Sequence, residues 1–172
     1  MNQRRYPIIA PYHSGPYRVA AVLRDPGRPE AGCGAEITGE IGVLNYRVKP
    51  NDQTAKNCHA ALLAAGLPLT AYLPMNAIPW YDGIATAEGL AEGAVMNAEL
   101  ISTHRIKRVL LFGNEAQRSE KYLAPLLDQD VKIAHMPHPS TRGIQGFRRR
   151  EGLPDFASAK RAFNERFAQA VL

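Results

Sequence analysis

Cysteine is scarce in this chain: Cys33 and Cys58 are the only two among 172 residues. Two isolated thiols exclude a disulfide scaffold and a cysteine-ligated metal site, and both are expected to stay reduced. Long apolar runs are missing as well. None approaches the roughly 20 residues that a membrane helix needs, so no membrane partner is expected. The N-terminal stretch MNQRRYPIIAPYHSGPY lacks an apolar h-region and a small-residue cleavage site, so it is read as no signal peptide and the protein as cytoplasmic. No Gly-x-Gly-x-x-Gly follows the first apolar segment, and no Gly-Lys-Ser/Thr occurs. That argues against a nucleotide cofactor. The Gly-x-Ser-x-Gly elbow of many serine hydrolases is missing too. There is no internal repeat, low-complexity tract or linker, and residues 1–172 are read as one domain.

The hydrophobic fraction is 45% and the charged fraction 22%, ordinary for a globule with a real core. The formal net charge is +5 and the pI about 9.4, a mild pointer to nucleic acid. Residues 1–16 show no period and read as a surface arm. Tyr17–Leu23 (YRVAAVL) reads as a buried first strand. Residues 24–42 hold seven glycines and prolines and form a long loop of the kind that is usually functional. Thr54–Ala65 is expected to be a helix, capped by Asp52 or Thr54 and ended by Gly66. Leu69–Met75 is a short strand in which Pro74 disfavours a central place. Ala87–Ser102 is a helix, Arg108–Phe112 a buried strand, and Asn114–Leu127 a helix that Pro125 shortens. Val131–Ala134 is the last strand. Asp155–Val171, with Phe156, Ala159, Phe163, Phe167 and Val171 at helical spacing, closes the chain as an amphipathic helix.

Strands alternating with helices predict an α/β fold with an open parallel sheet. Ligands of such sheets bind beyond the carboxyl ends of the strands. Asp25, Asn76, Gly113 and His138 each follow a predicted strand, so all four are expected on one edge. His138 could hydrogen-bond a leaving group that gains negative charge, or be structural. Asn76 offers both a donor and an acceptor, which suits an amide edge, or is a satisfied loop asparagine. Asp25 could polarise water or stabilise a cation, or only organise its Pro-Gly turn. His135 is expected on the strand, facing the core or the neighbouring loop. Between Arg142 and Glu151 lie four arginines and one acid, interleaved with Ile144 and Phe147. This stretch is read as a loop, either merely solvated or, from its place directly after His138-Pro139-Ser140, in contact with phosphate. A Ser140-His138-Asp25 triad is weak, because a serine two residues from its base rarely has the right geometry. A zinc site on His135 and His138 lacks a third ligand, so no metal is expected.

Asp25-Pro26, then Asn76 in MNAIPWY, then FGNEA at Phe112–Ala116, then His138-Pro139-Ser140 resemble, in order and spacing, the uracil-DNA glycosylase superfamily. The segment Asn51–Leu67 is similar to the first long helix of many members, and the likeness covers roughly residues 17–145. It implies a four-stranded parallel sheet with helices on both faces, a three-layer α/β/α domain. It further implies a monofunctional DNA-repair N-glycosylase of base excision repair, without cofactor, that flips uracil or another deaminated base out of DNA. Asn76 would read the base, His138 would donate to it as it leaves, and Asp25 would stabilise the sugar cation and position water. Pro26 and Gly27 would line the base pocket and Tyr46 would stack on the base. Ser140, Arg142, Arg148 and Arg149 would hold DNA, and Ile144 or another loop side chain would wedge into the stack. The enzyme would act as a monomer at the nucleoid. The chain departs from the best-known branch, whose motifs read G-Q-D-P-Y and H-P-S-P. Leu23-Arg24 stands for Gly-Gln, Gly27 for the tyrosine that excludes thymine, and Thr141 for the second proline. The cluster-binding cysteines of the iron–sulfur branch are absent. A divergent branch is implied, removing uracil, xanthine, hypoxanthine or a mispaired pyrimidine. Two other classes compete: a non-catalytic nucleic-acid-binding module on the same fold, and a hydrolase of free nucleosides or nucleotides.

Overall fold

The computed structural model describes residues 15–24, 53–79 and 85–172. Asp25, Pro26, Gly27, Cys33, Tyr46 and Asp52 lie outside the described residues. Four strands, β1 (Val19–Leu23), β2 (Tyr72–Asn76), β3 (Arg108–Phe112) and β4 (Lys132–Met136), form one sheet in the order β2-β1-β3-β4. All three pairings are parallel. Every residue of β1 and β2 is buried, as are the last four of β3. A parallel sheet covered on both faces requires such continuous apolar runs.

Alternate residues of the central strands feed two cores. Val19, Ala21, Leu110 and Phe112 pack with Cys58, Ala61 and Leu62 of α1 (Gln53–Ala64) and with Phe163 and Phe167 of α6 (Phe156–Val171). Phe112 stacks on Phe167 at 6.4 Å between centroids. Ile144 and Phe147 of α5 (Thr141–Arg150) join this core. Ala20, Val22, Val109 and Leu111 face Leu90, Ala94 and Ile101 of α2 (Ala87–Thr103). Ala116 of α3 (Gly113–Arg118) and Leu123 of α4 (Glu120–Leu123) complete that side. The result is a three-layer α/β/α sandwich around an open four-stranded parallel sheet.

Local chemistry sets the ends of the elements. Gly66 adopts φ +67, and Leu67 N–H reaches back to the Leu62 carbonyl at 3.0 Å, which closes α1 where the glycine predicted it. Pro74 sits on β2 at the sheet's edge, where one side of the strand needs no ladder donor. The Tyr72 hydroxyl is buried beside the Cys58 thiol, and burial above all holds this phenol well above its ordinary pKa. Asp155 caps α6 by accepting from Ser158 N–H at 2.7 Å.

Two expected elements are corrected. Residues 142–150, read as a loop, are the helix α5: Ser140 caps it, accepting from Gly143 N–H at 3.1 Å, and Ile144 and Phe147 bury one face. The single helix expected over Asn114–Leu127 is instead α3, α4 and a 3₁₀ turn at Ala124–Leu126. The break falls at Ser119, a buried residue whose hydroxyl bonds its own helix at the Ala116 carbonyl, 2.6 Å away.

Candidate functional site

The registers pair Leu23 with Asn76 and Phe112 with Met136, so the four strands end level. The chain leaves β1 towards β2 on one side and returns to β3 on the other. The reversal between β1 and β3 is where open α/β sheets leave a crevice. A cleft of about 810 Å³ opens there, lined by Arg24 after β1, Gly113 after β3 and Pro137 and His138 after β4. Its other wall is α5, through Arg142, Gly146 and Arg150, together with Arg166 of α6.

His138 is a polar group of the cleft that several elements hold in place. Gly113 has φ +79, and a Cβ on it would come within 3.0 Å of the His138 Cβ and 3.3 Å of its Cδ2. Only glycine meets both demands, the left-handed backbone and the close approach. From the other side, a Cβ on Gly143 would lie 2.1 Å from the His138 carbonyl oxygen, so the first turn of α5 rests directly on this residue. Asn57, buried on α1, donates to the Pro139 carbonyl at 2.6 Å. Gln117 of α3 donates to the Met136 carbonyl at 3.0 Å. The Ser140 N–H donates to His138 Nδ1 at 3.2 Å. With Nδ1 accepting, the neutral ring carries its proton on Nε2. A hydrogen-bond donor on a fixed ring is the outcome.

The same contacts dispose of the serine triad. Ser140 meets the histidine through its backbone N–H, while its hydroxyl accepts from Gly143 N–H. His135 is exposed on β4 and pairs with Glu120 of α4 at 2.5 Å; it does not face the core. Among the described residues no group of three or more acids, histidines or cysteines could hold a metal ion, and no helix is long and apolar enough to cross a membrane.

Asn76 ends β2 on the same edge, as expected, but its surroundings differ. It is 0% exposed and is not part of the cleft wall. Its carbonyl accepts from the buried Asn97 of α2 at 2.9 Å. Gly93 of α2 lies so close that a Cβ would sit 2.0 Å from the Ala77 oxygen. Ala77 N–H and Ile78 N–H bond the carbonyls of Leu23 and Arg24 at 2.7 and 2.9 Å. The turn after β2 is thus sealed, and three inter-strand steps, about 14 Å, separate its strand from that of His138.

Charge on the cleft is lopsided. Arg142 and Arg166 line it and make no hydrogen bond or ion pair among the described residues, and neither do Arg148 and Arg149 farther along. Arg150 has Glu151 at 3.7 Å and lies over the Phe147 ring, 5.9 Å from its centroid. Two acids, Glu115 and Glu151, share the lining, and Glu115 is bonded by Arg118 at 2.7 Å; elsewhere Lys107 bonds Asp130 at 2.7 Å. The Lys107 contact holds the Asp130 carboxyl below its ordinary value. Unmatched guanidinium groups favour an anion, most of all at Arg142 in the first turn of α5. Ile144, expected to wedge into stacked bases, is 0% exposed in the core and has no surface to offer. The helix spacing of Ile144 and Phe147 was the signal for that burial. Gln117, Asn57, Gly113 and Gly143 were not foreseen as positioning residues, because each acts through packing or hydrogen bonds that no local pattern announces. Compared with protein-family models and with curated proteins, the chain matches none.

Proposed function

We propose that the protein is a monofunctional DNA N-glycosylase that hydrolyses the bond between deoxyribose and a deaminated base flipped into the cleft. The observation that carries this reading is His138: its backbone lies under Gly143, its ring lies against Gly113 at the sheet's edge, and Nδ1 accepts from Ser140 N–H, which leaves Nε2 as the donor. Breaking an N-glycosidic bond leaves negative charge on the base and positive charge on the sugar. A donor fixed before the reaction stabilises the departing base without reorganising. Water then adds to the sugar carbon, giving up a proton, and the base leaves as the free, protonated species. Asp25 is the carboxylate for the sugar cation and the water. In the sequence it follows Arg24, which lines the cleft. The arginines of α5 take the backbone phosphates, an electrostatic contact that weakens with salt.

The covered side chain of Asn76 favours a second reading, a nucleic-acid-binding module without chemistry. One experiment separates the two. Oligonucleotides, each with one uracil, xanthine, hypoxanthine or mispaired pyrimidine, are scored for free base released by the wild type and by His138→Ala. Release from at least one substrate, lost in the variant, supports the glycosylase. Binding without release from any of them leaves the module.

A further inference from the structure

Gly146 stands near the middle of α5, is exposed, and lines the cleft. Glycine weakens a helix interior, so its presence asks for a reason. Gly93, Gly113 and Gly143 each have one, since a Cβ there would strike a neighbour at 3.0 Å or less. At Gly146 a Cβ would meet nothing within 4 Å, and its φ is not positive. Nothing among the described residues requires a bare backbone at this position.

Its neighbours on the helix supply the context. Arg142 is one turn before and Arg150 one turn after, and all three line the cleft together with Arg166 of α6. Arg142 and Arg166 have no partner among the described residues, and Arg150 has a single distant acid. Eight residues of helix separate the outer two arginines by about 12 Å. In a duplex each strand carries one charge per about 3.4 Å of axis, so about 12 Å of axis holds roughly three to four phosphates of one strand.

We propose that Arg142, Gly146 and Arg150, with Arg166, form a seat for one strand of sugar–phosphate backbone, and that Gly146 is bare so that the strand lies directly on the helix. The seat rests on the nucleic-acid reading above but not on any base being released. A bulky side chain at position 146 lifts the strand off the helix while leaving the protein's own packing untouched.

The test is anisotropy of a labelled oligonucleotide with no modified base, single-stranded and duplex, as salt is varied. Gly146→Gln is expected to weaken binding ~10-fold or more while its thermal midpoint stays level or rises. Gly146→Ala, with one methyl, is expected to weaken it no more than ~3-fold. Arg166→Gln should weaken binding and reduce the slope of log affinity against log salt by about one. Wild-type affinity in both Gly146→Gln and Arg166→Gln overturns the seat, as does a wild type that binds no oligonucleotide. Competition by a mononucleotide as effective as by the oligonucleotide also overturns it, because a single phosphate needs no track of about 12 Å. Loss of binding in these variants alongside no base release from any lesion keeps the seat and removes the glycosylase.

Discussion

The turns after β2 and after β4 are built alike and end differently. Each is held by a buried asparagine from a helix, Asn97 on the Asn76 carbonyl and Asn57 on the Pro139 carbonyl. Each is overlain by a helical glycine so close that a Cβ would touch a loop carbonyl, Gly93 on Ala77 and Gly143 on His138. Yet the β2 turn is wholly buried, whereas the β4 turn presents a half-buried imidazole to a cleft. The cause is the company each turn keeps. Ala77 and Ile78 bond the carbonyls of Leu23 and Arg24 and pack in one core with Leu90 and Ala94 of α2. His138 lies at the far edge of the sheet beside β3, where Gly113 removes the side chain that would fill the gap. One architecture thus serves once as a clamp and once as a mount.

Substitutions at matched positions sharpen the contrast. The largest expected effect is on chemistry: His138→Ala should slow base release ~100-fold or more, whereas Asn76→Ala should act chiefly on the thermal midpoint. An equal loss of rate in both, with stability unchanged, would show that the sealed turn opens to substrate. Next come the glycines. Gly143→Ala and Gly93→Ala each force a methyl into a carbonyl and should destabilise by about 1–3 kcal/mol or more, as overpacking does. Denaturant titration reads both, and only the Gly143 variant should also lose turnover in the remaining folded protein. The asparagines come third. Asn57→Ala and Asn97→Ala each leave a buried carbonyl without its donor, for about 1–3 kcal/mol. A cost confined to one of them would break the parallel.

The smallest effect lies away from both turns and serves as a control. The Asp155 carboxyl is held below its ordinary value, first by the Ser158 N–H it accepts from. A depressed folded pKa contributes stability above the unfolded value near 3.8, and that stability fades as pH falls through the folded one. Asp155→Ala should therefore lower the thermal midpoint slightly at neutral pH and not at all in strong acid, where wild type and variant converge. A gap that persists at low pH would assign the cap a role other than its charge.

Much of the scaffold was legible in the residues. Arg108–Phe112 is a strand at the predicted bounds, and Gly66 ends its helix as read, because both signals are local. Residues 142–150 misled: two glycines and a crowd of arginines look like a loop, and only burial of Ile144 and Phe147 against α6 makes the helix worth forming. Ile144 was misplaced for the same reason. His138 was singled out from its place after a strand, but the glycines and amides that hold it were not, since Gly113, Asn57 and Gln117 are far from it along the chain.

By itself the sequence determined the alternation of strands and helices, the parallel sheet and the edge on which Asn76 and His138 both lie. Apolar runs and glycine stops act over a few residues, and the topology of such a sheet does the rest. Tertiary structure alone decided that one of these turns is sealed and the other open, and that α5 lays Arg142 and Arg150 along the cleft. Those outcomes depend on which surfaces meet across the sheet, and contacts between distant segments leave no periodic trace in the chain.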